Sequence, residues 1–333
     1  MVKAERDNFI KSINAEYDDY LQTVAGLYAF CKSAIWDEAN KKPRDKSTLK
    51  IPGKVYKAGD KDKNALTPDG LVIINDNYAV VCEMKKHFQL GKTSHFDQLK
   101  KYDTPLVDFW ENKNIPNHDL VLLTHYFSKT AASDAFNEWN KINKYERAMA
   151  IVEFSYSTQV KTYFTLAITT GRLSDQTHNE ALRAVKKIND EHVSELLSKY
   201  KFYDGQPPLL YTMEVIYDYL LPLCINENEQ LIAPSQGFSF TSNQVRDYLQ
   251  KLCIPQNENK QGNTLPKISW VKAALDKFVE IGLGKKTGDE YILQLRTNSK
   301  DDTKSFLGKL IFKKEIEKKK KTKTSNQIDI FDQ

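Results

Sequence analysis

Cysteine is sparse and scattered in this chain: Cys31, Cys82, Cys224 and Cys253 stand far apart, with no CxxC pair. That spacing points to neither a zinc site nor a disulfide framework. Long apolar runs are also missing, so no segment reaches the length of a membrane span. The opening MVKAERDNF lacks the apolar stretch of a signal peptide, and a soluble, cytoplasmic protein is expected. Neither sign of charge dominates, since 49 Lys and Arg against 44 Asp and Glu leave a net +5. A balance this mild permits nucleic-acid contact without requiring it.

What the sequence does have is length and pattern. Its 333 residues are enough for two domains, each with its own core. Helical periodicity runs from residue 3 to about 40 through Ile13, Tyr17, Leu21, Val24, Leu27, Tyr28, Cys31 and Ile35. The polar stretch 41–50, with Pro43, ends that helix. A strand at about 50–57 precedes an apolar hairpin, TPDGLVIINDNYAVVCEMKKHF (67–88). Ser94 with Asp97 three residues on predicts a capping box and a helix through about Tyr102. DLVLLTH (119–125) reads as a buried strand, followed by a helix at 131–142, strands at 148–155 and 161–169, and a helix at about 178–200. Helix, three strands, helix, strand is an α/β order, a mixed sheet covered on both faces. DGQPPLL (204–210) reads as a linker, so domains are expected at 1–204 and 205–312, with a tail at 313–333.

The second domain reads as three helices, at 211–223, 241–253 and 268–283, then a ribbon turning at Gly288-Asp289. This resembles a winged helix, whose third helix usually enters a major groove. Lys267, Lys272, Lys277, Lys285 and Lys286 cluster on that helix and ribbon and are its candidate DNA contacts.

The hairpin contains a conflict. Its strands are apolar enough to be buried on both faces, yet Asp69 stands at the entrance and Glu83 and Lys85 at the exit. Such burial is costly unless the charges are paired or hold a metal. With a three-residue loop, Asn75 to Asn77, Ile74 faces Tyr78 and Asp69 falls opposite Glu83. Lys85 then shares their face and Met84 points away. A two-residue loop would part the two acids unless the chain bends at Gly70. Converging carboxylates make a hard-oxygen site suited to Mg²⁺. A neighbouring lysine can handle water or stabilise charge on a phosphoryl group.

Pro68-Asp69 followed by Glu83-Met84-Lys85 resembles the PD-(D/E)xK nuclease signature, and Gln98-Leu99-Lys100-Lys101-Tyr102 matches the QxxxY motif of its RecB-type members. The resemblance covers roughly residues 1–170. It implies a restriction-endonuclease-like core that hydrolyses DNA phosphodiesters with Mg²⁺, or Mn²⁺ in its place. Asp69 and Glu83 would be the metal ligands, with Lys85, Gln98 and Tyr102 in the catalytic set. Members often add an acid from the first helix, which here is Glu38 or, second, Glu16. Lys92, just before the next helix, is positioned to touch phosphate. His87 and His95 lack partners at metal-ligand spacing and read as surface residues.

The chain closes on a lysine run, expected as a flexible linker, and then on QIDIF (327–331). That pentapeptide resembles the bacterial sliding-clamp-binding motif, with Gln327, Ile330 and Phe331 as the groove contacts. The expected function is a metal-dependent DNA endonuclease in restriction, defence or repair. A double-strand cut by a single-site enzyme commonly needs two protomers, hence a homodimer. Two other readings are the endonuclease subunit of a heteromeric transposase and a catalytically silent DNA- or clamp-binding protein. The intact Asp69, Glu83 and Lys85 set argues against the last.

Overall fold

The structure, a computed structural model, describes residues 2–37, 40–59, 64–88, 91, 93–107, 114–157, 163–203, 205–224, 239–253, 265–295 and 301–328. Side chains of the last helix are described as far as Lys319. The chain forms two compact units, Leu21–Gly205 and Met1–Tyr20 with Gln206–Gln333. One helix, α1 (Val2–Ile35), contributes its first residues to one unit and the remainder to the other. The sequence alone assigned 1–20 to the N-terminal domain. They go with the C-terminal unit because Tyr17 and Tyr20 pack on Tyr211, with ring centroids 5.5 and 4.8 Å apart, and Phe9 packs on Phe312 at 5.5 Å.

The unit Leu21–Gly205 is mixed α/β. The strands of its main sheet are β1 (Thr48–Lys50), β2 (Gly70–Asn75), β3 (Tyr78–Met84), β4 (Asn117–His125), β5 (Met149–Ser157), β6 (Tyr163–Gly171) and β7 (Lys186–Asn189). They lie in one sheet in the order β7-β6-β5-β4-β3-β2-β1. The pairs β3–β4 and β4–β5 are parallel and the rest antiparallel. Parallel neighbours need crossovers, and here α2 (Ser94–Lys100) lies between β3 and β4 and α3 (Lys129–Asn140) between β4 and β5. Both helices cover one face. Phe96 and Leu99 of α2 and Ala132, Ala135 and Trp139 of α3 form one core with Leu71, Ile73, Ala79, Val81, Leu120 and Leu122. Each large side chain buried there contributes about 1.5–3 kcal/mol.

The second half of α1 covers the opposite face, and two glycines let it approach. A Cβ on Gly26 would lie 2.6 Å from the Phe154 ring. On Gly70 it would meet Leu27 Cδ1 at 3.2 Å and Cys31 Sγ at 3.3 Å. Cys31 and Cys82 are buried, free thiols there, and desolvation pushes the pKa of each upward. They pack as small apolar groups.

Two expected elements divide. The strand expected at 50–57 is β1 and a separate strand, Val55–Lys57, which belongs to a small sheet with Ala65–Leu66 and Leu106–Val107. The helix expected at 178–200 is α4 (Gln176–Arg183), then β7, then α5 (Asp190–Lys199). Val185 ends α4 with φ of 61°, unusual for a β-branched residue, and the following residues pair with β6.

The other unit runs α6 (Leu209–Leu220), β8 (Ser239–Thr241), α7 (Ser242–Cys253), α8 (Ile268–Glu280), β9 (Gly284–Thr287), β10 (Glu290–Leu293) and α9 (Thr303–Ile328). The three strands form an antiparallel sheet in the order β8-β10-β9. Gly288, at φ +60°, supplies the left-handed residue of the β9–β10 turn. Trp270, Val271, Ala274, Leu275 and Phe278 give α8 its buried stripe. The lysine run after residue 313, expected as a flexible linker, continues α9 as helix. Lysine is a good helix former, and Lys318 pairs with Glu280 at 2.8 Å. Among the described residues no helix is long and apolar enough to cross a membrane.

Candidate active site

The register of the hairpin decides what its charges can do. Pairing runs Gly70–Cys82, Leu71–Val81, Val72–Val80 and Ile73–Ala79, then shifts so that Asn75 meets Tyr78. Ile74 is therefore a bulge and the turn is Asp76-Asn77, not the three-residue loop expected. Asn75 Oδ1 accepts from the Asn77 amide at 2.9 Å and closes that turn. A two-residue turn would have parted the acids, but the bulge restores the lost residue. Continued past Gly70–Cys82, the register sets Asp69 across from Glu83.

Both carboxylates are withdrawn from solvent, Asp69 with 7% of its surface exposed and Glu83 with 1%. The approach to Asp69 is fixed by Gly53, whose amide donates to the Pro68 carbonyl at 2.9 Å. A Cβ there would strike Pro68 Cγ at 2.8 Å. Asp69 Oδ2 in turn accepts from the Met84 amide at 2.8 Å, tying the entrance of the hairpin to its exit.

Glu83 is where the two motifs meet. Tyr102 donates its hydroxyl to Oε1 at 2.7 Å, Gln98 donates Nε2 to Oε2 at 2.8 Å, and Lys85 Nζ reaches Oε2 at 3.3 Å. Gln98 and Tyr102 share a face because they are four residues apart on and just beyond α2. Three donors on a carboxylate that can accept about four leave acceptor capacity at Oε1. Lys85 itself is fixed by the sheet. Its amide donates to Leu123 O and its carbonyl accepts from Thr124 Oγ1, both at 2.9 Å.

Several residues outside both motifs hold this arrangement. His118 donates from Nε2 to the Tyr102 carbonyl at 2.8 Å, the neutral tautomer with its proton on that nitrogen. Burial lowers the His118 pKa to about 4. Asp103 accepts from the amides of Glu146 and Arg147, each at 2.9 Å, and from Lys100 Nζ at 2.6 Å. Asp97 forms no capping box, because Thr93 is the N-cap and makes no side-chain bond. Asp97 accepts from the Trp139 indole at 2.8 Å and so links α2 to α3. Lys50, buried on β1, was not singled out by the sequence. Its register partner is Leu71, which puts it on the Asp69 and Glu83 face. An isolated lysine in a short strand carries no motif that would have found it.

A groove of about 490 Å³ runs along α2, walled in part by Thr67, Ser94, Asp97, Gln98, Lys101 and Tyr102. Asp69, Glu83 and Lys85 are not among its walls, so Gln98 and Tyr102 stand between the groove and the acid. Among the described residues, no group of three or more His, Cys, Asp or Glu is arranged to hold a metal. Mg²⁺ keeps several waters and needs only one or two carboxylates. The donor chemistry of Asp69 and Glu83 fits that smaller demand.

The remaining candidates scatter. Glu38, Lys92, Ile330 and Phe331 lie outside the described residues, and Gln327 falls in α9 beyond the described side chains. Glu16 is exposed and belongs to the unit without the hairpin. On α8 and its ribbon, Lys272 and Lys285 are exposed. Lys267 lies 5.1 Å from the Trp270 ring centroid. Lys286 pairs with Asp276 at 2.8 Å. Lys277 is mostly covered and bridges Glu280 at 3.0 Å and Glu315 at 3.2 Å. Phosphate contact by Lys277 would have to break both pairs. Comparison of the chain with protein families, curated proteins and solved structures gives no match.

Proposed function

We propose that the protein is a metal-dependent DNA endonuclease of the PD-(D/E)xK kind, with its reaction centred on Asp69, Glu83 and Lys85. One observation carries the reading: Lys85, Gln98 and Tyr102, from two separate motifs, all donate to the Glu83 carboxylate. A solvated helix with a half-buried tyrosine would have no reason to aim both motif side chains at the same acid.

Asp69 and Glu83 would hold Mg²⁺, which when bound polarises the phosphate and favours a water nucleophile. Gln98 and Tyr102 fix the Glu83 carboxylate, so that its remaining acceptor site faces a constant direction. The Lys85 ammonium, carried on a backbone that Leu123 and Thr124 hold in place, stabilises charge developing on the phosphoryl oxygens as water adds and the P–O bond breaks. The order α6-β8-α7-α8-β9-β10 supports a winged helix in the second unit, with Lys272 and Lys285 as phosphate contacts. The tail, through QIDIF, would take a sliding clamp.

The test is cleavage of labelled DNA with Mg²⁺ and with EDTA, beside a DNA-binding measurement. The wild type is expected to cut only with the metal. Lys85→Ala should lose cutting by roughly 100-fold or more while binding DNA nearly as before, because its cation acts mainly in the transition state. Parallel loss of binding and cutting would make Lys85 a phosphate-positioning residue. No cutting of any DNA form by the wild type would remove the reading.

A further inference from the structure

The turn that follows β4 leaves two aromatic rings bare beside Lys85. Phe127 is 88% exposed and Tyr126 is 44% exposed. A lone exposed ring needs no explanation, but these are adjacent, and the third exposed aromatic among the described residues, Tyr156, lies at the same end of the sheet. It follows Phe154 by two residues, and Phe154 is the parallel register partner of His125.

The turn is rigidly held. The His125 amide donates to Lys86 O at 3.3 Å, the Phe88 amide donates to Ser128 Oγ at 3.1 Å, and Thr124 Oγ1 donates to Lys85 O at 2.9 Å. Residues 85–88 and 124–128 therefore run side by side. The Phe127 amide donates to His125 Nδ1 at 3.3 Å, and the His125 ring lies 5.1 Å from the rings of both Phe127 and Phe154. Lys129 Nζ sits over one face of the Tyr126 ring, 4.1 Å from its centroid, and pairs with Glu153 at 3.4 Å, while the backbone of Lys85 runs beside Thr124 at the start of the turn.

Exposed aromatic rings with lysines close by in the chain suit a nucleic-acid strand, since every base has a π-face and every link a negative charge. A base inside a duplex already has both faces stacked, so these rings can only receive one that is unpaired. We propose that Tyr126 and Phe127 form a stacking platform for an unpaired nucleobase next to the phosphate at Lys85, giving preference for single-stranded over closed duplex DNA. This rests on the nuclease reading and adds to it the form of the substrate.

The experiment is fluorescence anisotropy of the full chain with a labelled oligonucleotide, single-stranded or in a blunt duplex, in EDTA so that nothing is cut. The single strand should bind more tightly than the duplex. Phe127→Ala, which removes a surface ring, should weaken the single strand by roughly tenfold or more and leave duplex binding unchanged. Phe127→Trp should restore single-strand binding, with indole emission quenched on addition of the oligonucleotide. Unchanged single-strand binding by Phe127→Ala, or equal losses on both DNA forms, would overturn the platform. Because no cutting is read, a protein that binds through Phe127 but never cleaves would fail the nuclease reading and keep this one. A protein that cleaves with Phe127 irrelevant would do the reverse.

Discussion

Two acid–lysine clusters in this chain use the same residue types and differ in almost everything else. In the unit Leu21–Gly205, Glu83 is sealed from solvent and every contact to it is directional: a phenol, an amide and an ammonium, each aimed at a named oxygen. In the C-terminal unit, Lys277 and Lys318 meet Glu280 and Glu315 on helix surfaces at 2.8–3.9 Å, with roughly a third of each acid exposed. Water and salt compete readily for the second set of partners and far less for the first. The difference separates a site from a decorated surface: burial makes each missing partner costly, so the partners that persist around a buried acid carry information.

The largest expected effect breaks the buried cluster. Glu83→Ala strips the acceptor from Tyr102, Gln98 and Lys85 together, and urea unfolding should record a loss of about 2–4 kcal/mol. A loss under about 1 kcal/mol would mean that solvent replaces the carboxylate easily.

The next effect concerns the imidazole behind Tyr102. The folded His118 pKa, lowered to about 4, lies below the ordinary value of 6.5. The unfolded chain therefore takes up this proton first as pH falls. The contribution is complete above about pH 6.5, shrinks through the window down to about 4, and amounts to at most about 3 kcal/mol. His118→Gln keeps a donor for the Tyr102 carbonyl but does not titrate. Unfolding curves taken across that window should show a shallower acid dependence in the variant than in the wild type.

The smallest effect belongs to the surface cluster. Glu315→Ala should cost less than about 1 kcal/mol, and added salt should erase the difference. A salt-insensitive loss as large as that of Glu83→Ala would cancel the contrast.

Much of the buried site could be read from residue order, for a physical reason. Strand alternation and helix periodicity are local, so placing Asp69, Glu83 and Lys85 on one strand face, and Gln98 and Tyr102 on one helix face, needed no tertiary knowledge. The hairpin shows where that stops. Its loop length was misread, and the register came out as expected only because Ile74 bulges. Asp97 had the spacing of a capping box, but a tertiary partner, the Trp139 indole, takes its carboxylate. The lysine run looked like a linker because its charge repels itself, while α9 gains helix propensity and acidic neighbours. The bare rings of Tyr126 and Phe127 were invisible because exposure is a tertiary property, and HYF after an apolar strand reads equally well as core.

The central claim is that Asp69 and Glu83, gripped as they are, form a metal-binding pair. Isothermal titration of Mn²⁺ into the wild type and into the double variant Asp69→Asn, Glu83→Gln tests it most directly, since both amides keep the shape and remove the charge. One saturable site in the wild type that vanishes in the variant is the predicted result. Equal binding by both proteins, or none by the wild type, would contradict it.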